Sequence, residues 1–270
     1  MPVFNRPVTS REYKLLLNVE RFHDRATGAA QFLGLLELLV ARAGGQITAR
    51  QDKVEQRRTS YLDTVGLNLQ REGFVLRLRE ELPASALWQI NLKYRSPDRY
   101  LAAVCDLSGP GDSKIKFEED ILPPFVSKFS HSNTIKVGAE PTLETLEQAI
   151  ALFPGLKGIA LPTATKIATV NDFIAEETVL KVRKFTFTDA LELKASLSFW
   201  YHDPAQKGWP LVVEFSFDYD TPNPVEESQL EHYPPSVVNG ATSLYAALQR
   251  QEGWLSVNST TKTSIALNIL

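Results

Sequence analysis

The chain has 270 residues, of which 43% are hydrophobic, and 29 Lys or Arg against 32 Asp or Glu give a formal net charge of −3. That apolar share is ordinary for a globular chain and supplies a sizeable core, while a charge near zero excludes bulk attraction to nucleic acid or to an anionic membrane surface, so any anion site must be a local concentration of charge. Cys105 is the only cysteine, which excludes an intrachain disulfide and a Cys-rich zinc site and fits a reducing compartment such as the cytoplasm.

The opening MPVFNRPVTS lacks the apolar core of a signal peptide. In TSREYKLLLNVERF (9–22), an extended chain puts Tyr13, Leu15, Leu17 and Val19 on one face and Glu12 and Lys14 on the other. AAQFLGLLELLVARA (29–43) is too short and, with Gln31, Glu37 and Arg42, too polar to cross a bilayer. It reads as a buried helix with Thr27 as N-cap and Gly44 as its stop. GFVLRLREEL (73–82), LWQINLKYR (87–95) and KIKFEEDIL (114–122) read as strands. PTLETLEQAIALF (141–153) has helical spacing and ends at Pro154-Gly155. Further strands are expected at 179–187, 191–201 and 210–220, a Pro-rich loop at 220–235, and a C-terminal helix at 243–255. No linker divides the chain, so 1–270 reads as one α+β domain whose two strand-rich halves join around 123–160.

Each strand has one apolar and one charged face. Arg77 and Arg79 share a face opposite Phe74, Leu76 and Leu78, and Lys93 opposes Trp88, Ile90 and Leu92. Lys116, Glu118 and Asp120 lie together, as do Lys181 and Arg183, and Glu214, Ser216 and Asp218 oppose Phe215, Phe217 and Tyr219. A flat antiparallel sheet with one wet face would account for this. The clustering by sign favours a second arrangement: a curled sheet with its charged faces inward and its apolar faces under helices. Such a cavity suits a polyanion on the basic set, bridged by a divalent cation to the acidic set.

YLDTVGLNLQREGFVLRLRE (61–80) resembles the signature of the CYTH superfamily, the triphosphate tunnel metalloenzymes, through Tyr61, Asp63, Thr64, Leu69, Gly73, Leu76, Arg77 and Arg79. Lys93 falls where that family has a lysine. KFEED (116–120) resembles its acidic strand, and EFSFD (214–218) its late Glu-x-Glu strand. The resemblance implies a mostly antiparallel, closed or nearly closed β-barrel, a tunnel with helices packed outside. It also implies a small-molecule partner, a triphosphate or nucleotide, while the charge balance and hydropathy lead us to expect no nucleic acid and no membrane. Lys14, Arg77, Arg79, Lys93 and Arg183 would hold the phosphates, with Lys166 and Lys181 as alternatives to Arg183. Glu12, Glu118, Asp120 and Glu214 would hold Mg²⁺ or Mn²⁺. Family members hydrolyse inorganic triphosphate, thiamine triphosphate or RNA 5′-triphosphate ends, make cyclic AMP, or synthesise polyphosphate. Two positions depart from the pattern: Ser10 and Ser216 stand where a Glu is usual. The expected function is therefore weak metal-dependent triphosphate hydrolysis, or alternatively a non-catalytic phosphate- or nucleotide-binding module.

Overall fold

The computed structural model describes residues 7–82, 87–188, 191–202, 209–220, 233–257 and 261–268. The described strands are β1 Ser10–Leu17, β2 Gln46–Asp63, β3 Phe74–Leu82, β4 Trp88–Ser96, β5 Lys114–Leu122, β6 Val126–Val137, β7 Ala168–Thr186, β8 Glu192–Tyr201 and β9 Val212–Asp220. Their order is β1-β5-β6-β4-β3-β2-β7-β8-β9, and β9 pairs again with β1, so the sheet closes into a ring. β1 and β5 run parallel; every other neighbouring pair is antiparallel.

Alternation explains why the ring has a polar inside. Successive side chains leave opposite faces of a strand, and the apolar sets of β1, β3, β4 and β9 pack outward on helices. α1 (Arg25–Arg42) and α5 (Pro235–Gln249) cover Tyr13, Leu15, Leu17, Phe215 and Phe217 with Phe32, Leu36, Leu244 and Tyr245. On the other side, α4 (Leu146–Leu152) covers Leu76, Leu78, Ile90 and Leu92 through Leu146 and the following Phe153. Fully burying each such side chain is worth about 1.5–3 kcal/mol, and a one-residue slip of any strand would turn its charges into this layer. α2 (Asn68–Arg71) and α3 (Arg99–Val104) are short turns outside the ring.

The end of the chain behaves differently. α6 (Lys262–Asn268) does not join the outer layer. Its Ala266 and Leu267 pack with Tyr61, Ala175 and Trp200, residues opposed in register to Arg77, Thr59 and Glu177 and therefore on the inner face. α6 thus seats in one mouth of the ring.

Several sequence expectations need correction. α1 starts at Arg25, and its N-cap is Asp24, whose Oδ1 accepts the Thr27 N–H at 2.7 Å; Thr27 lies inside the helix. α5 spans 235–249 instead of 243–255, because Pro235 needs no N–H partner in a first helical turn. β7 begins at Ala168, eleven residues before the expected 179, and β2, β6 and α6 had no counterpart in the sequence reading. The expected loop at 220–235 lies mostly outside the described residues. No described helix is long and apolar enough to cross a membrane.

Candidate functional site

The polar residues of the strands meet in a cavity of about 440 Å³ inside the ring. Its geometry starts from a turn. Asp63 Oδ1 accepts the N–H groups of Thr64 (2.7 Å) and Leu69 (2.9 Å), and Oδ2 accepts that of Gln70 (2.9 Å). Gly73 follows at φ 83°, where a Cβ would lie 2.9 Å from the Tyr94 ring and 3.2 Å from the Arg95 carbonyl oxygen. The Asp-Thr and Gly of the 61–80 segment therefore set the turn into β3 and fix its register, and that register aims Arg77 and Arg79 inward.

Seven of the nine residues expected at the site line the cavity: Glu12, Lys14, Arg77, Arg79, Lys93, Asp120 and Glu214. Glu118 belongs to the same wall. It is opposed in register to Ser10 and Ser130 and accepts from Lys116 (3.0 Å) and Lys93 (3.5 Å). Lys14 Nζ lies 2.8 Å from both Glu12 Oε2 and Asp120 Oδ1, and Ser130 donates to Asp120 Oδ2 at 2.8 Å.

Arg183 lies elsewhere, and its assignment is corrected. A bulge between Lys181 and Arg183 shifts the register, so Lys181 opposes inward Ser196 while Arg183 opposes Ala195 of the outer core. Arg183 Nε then pairs with Glu37 of α1 at 2.6 Å. Lys166 is exposed beside Thr145, just before α4.

The sequence reading missed Arg57, Arg95, Glu177 and Lys262. Arg95 lies two residues beyond Lys93, so parity alone could have found it; Arg57 shares the face of Tyr61 on β2, a strand without an apolar pattern at that point. Glu177 sits in the half of β7 that was not foreseen, and Lys262 had no signal. Glu177 is 2% exposed and gathers Arg57 (2.6 Å), Lys262 (3.0 Å) and Arg79 (3.5 Å).

The electrostatics follow from crowding charges out of water. Burial opposes ionisation of Asp120 and Glu118, yet neighbouring cations win. Lys14, Lys93 and Arg95 hold Asp120 far below the usual carboxylate range, and Lys93 and Lys116 hold Glu118 down to about 2. Burial would also neutralise Lys14, but Asp120 and Glu12 raise its pKa. Burial wins at Lys93, which is lowered. Arg79 is lowered first by burial and then by Arg77 and Arg57. Three arginines thus stand close enough to repel one another. Among the described residues, Arg77 has no carboxylate partner. Like charges gathered without full compensation form a site for an anion.

The donor set bears on whether a divalent cation fits. Among the described residues no three of His, Cys, Asp and Glu form a group that could hold a metal ion. The Lys14 ammonium is nevertheless a stand-in cation shared by Glu12 and Asp120, so two hard oxygen donors already converge on one point. Two carboxylates suit Mg²⁺ carried on phosphate, because that ion keeps water and phosphate oxygens as its remaining ligands. Glu214 does not join this pair. Its Oε1 accepts from Lys262 at 2.9 Å.

No family model and no curated protein matches the chain. Solved structures similar to it include a candidate adenylyl cyclase from Hippeastrum with a dominant triphosphatase activity, at 12% identity and TM-score 0.44, covering 96% of this chain and 95% of that one. A candidate adenylate cyclase from Bacillus halodurans gives 11% identity and TM-score 0.40 over 96% of each chain. A protein from Pyrococcus horikoshii gives 9% and 0.40 over 96% of this chain and 98% of that one. The resemblance to the CYTH signature is carried by the residues of the 61–80 segment.

Proposed function

We propose that this chain is a CYTH-like protein that binds the triphosphate group of a small molecule inside the ring and hydrolyses it slowly with a divalent cation. The observation that carries the reading is Arg77, which among the described residues has no carboxylate partner and faces a cavity already holding Arg57, Arg79, Lys93 and Arg95. A guanidinium offers paired donors to phosphate oxygens, and a triphosphate supplies the charge that this cluster lacks. Inorganic triphosphate is the simplest ligand of that kind.

Arg77, Arg79 and Lys93 would fix the phosphate chain and hold its terminal group in place. Glu12 and Asp120 would hold Mg²⁺ or Mn²⁺, which when bound neutralises phosphate charge and polarises a water. Lys14 would then turn from its carboxylates to the phosphates. No nucleophilic side chain is required, because phosphoryl transfer rests on positioning and charge stabilisation. We place the protein in the cytoplasm. Its single cysteine, Cys105, fits a reducing compartment.

A second reading, a binding module without turnover, has its own support. Ser10 donates to Glu118 Oε1 at 3.1 Å and Ser216 bonds Ser196 at 3.2 Å, so neither position adds charge for a metal. Phosphate release from inorganic triphosphate, thiamine triphosphate and ATP with Mg²⁺ or Mn²⁺, together with calorimetric titration, separates the readings. Binding with slow release supports the first and binding alone the second. No binding of any triphosphate overturns both.

A further inference from the structure

Among the described residues, Lys262 is the one cation in the ring supplied by a helix. Its Nζ lies 2.9 Å from Glu214 Oε1, 3.0 Å from Glu177 Oε1 and 2.9 Å from Ser198 Oγ. Three oxygens from three strands therefore surround one point, two of them anionic. This is the oxygen environment of a small cation, and an ammonium fills it. The stem is held as firmly as the head. Nζ lies 5.6 Å from the Trp200 ring centroid, and one turn further on Ala266 and Leu267 pack against Trp200, Tyr61 and Phe173. Thr261 caps the short helix by accepting the Ser264 N–H at 3.1 Å, and Thr263 Oγ1 accepts from Arg95 at 3.2 Å. The apolar seat thus presses a positive charge onto an acidic pair that would otherwise be open to the channel.

We propose that Lys262 is the resident counter-cation of Glu177 and Glu214, and that it excludes a divalent ion from this side of the channel, confining metal to the Glu12–Asp120 wall. The inference rests on the reading of the channel as metal-using, but not on any phosphate ligand. Charge balance explains the exclusion. Arg57 and Arg79 already offset Glu177, so the negative charge that Lys262 cancels is that of Glu214. Without the ammonium, Glu214 has no ion-pair partner among the described residues, and the three oxygens face a vacated point.

The test uses Mn²⁺ alone on the full chain. Lys262→Met keeps an unbranched stem over Trp200 and removes the charge. Calorimetric titration should show one more Mn²⁺ bound per chain in Lys262→Met than in wild type. Adding Glu214→Gln to that variant should remove the extra site, and Lys262→Arg should bind as wild type does. Equal Mn²⁺ stoichiometry in wild type and a folded Lys262→Met overturns the proposal, as does an extra site that survives Glu214→Gln. If Lys262→Met fails to fold by circular dichroism, Lys262→Gln, which retains a hydrogen-bonding end, makes the same comparison with the same deciding outcomes. Triphosphate titration of wild type is scored separately. Its failure would remove the proposed function and leave the Mn²⁺ count unaffected.

Discussion

Arg57 and Glu177 face each other across the β2–β7 pair, and Arg57 Nε donates to Glu177 Oε2 over 2.6 Å. The Glu177 side chain is sealed from solvent and also receives Ser198 at 2.6 Å. This carboxylate ties the basic wall to the helix that closes one mouth. Breaking a buried pair by removing one partner leaves charge uncompensated. Glu177→Gln should therefore lose about 3–5 kcal/mol of stability in denaturant unfolding. Saturating inorganic triphosphate should restore more stability to this variant than it adds to wild type, since the ligand then supplies the missing negative charge. An unchanged unfolding midpoint would mean that the cations are already neutralised elsewhere.

Arg77 should behave in the opposite way. It has no ion-pair partner among the described residues, so Arg77→Ala should change stability by less than about 0.5 kcal/mol. Triphosphate binding should weaken by about 1.5–3 kcal/mol, the worth of a charge-assisted hydrogen bond. Unchanged affinity by calorimetry would take Arg77 out of the site. Arg183→Ala is the contrasting variant: its guanidinium serves Glu37 of α1, so affinity should hold while the α1 contact loosens.

Two carboxylates give opposing pH dependences. Asp218 is pushed up to about 7, first by burial and then by Glu12 and Asp220, from an ordinary value of 3.8. The folded chain therefore holds this proton more tightly than the unfolded chain, and the contribution destabilises as pH rises from about 4 to about 7. Glu118 is held down to about 2 against an ordinary 4.5, so its contribution is present above pH 4.5 and is lost as pH falls through 2. Asp218→Asn should remove the first slope and be more stable than wild type at pH 8 by as much as about 4 kcal/mol. Urea unfolding from pH 4 to pH 8 in chelator tests this. A wild-type slope that persists in Asp218→Asn would assign it to another group.

Ser10 and Ser216 can be restored to the family pattern. Ser10 is buried between Glu118 and Asp220 in register, and Ser216 opposes Lys14. Ser10→Glu with Ser216→Glu adds two negative charges to the inner wall, which should tighten Mg²⁺ binding and raise the rate of triphosphate hydrolysis. If wild type already turns over at about 10 per second or faster, the acidic set is complete without them. Asp218 would then be the first carboxylate to test as a ligand.

Much of the inner face is legible in the amino-acid sequence, because its cause is local. Strand alternation alone puts Lys14, Arg77, Arg79 and Lys93 on the faces opposite their apolar neighbours, and the helices cover those apolar faces as expected. Residues 46–58 of β2 escape such a reading because neither face of the strand is buried there, so QITARQDKVEQRR carries no apolar alternation. Tertiary structure decided the rest. Periodicity cannot say that a sheet closes, and closure here depends on β9 returning to β1 and on the parallel β1–β5 pair. Parity is also lost wherever a bulge adds a residue: Lys181 and Arg183 share a face in the sequence, but the bulge between them sends Arg183 out to Glu37. Lys262 shows the same limit most plainly. Glu177 lies 85 residues before it in the chain, and nothing local to the short α6 states which charges will surround it. Only the folded ring brings Glu177, Ser198 and Glu214 to one point, because a buried ammonium is stable there only when distant strands deliver its counter-charges together.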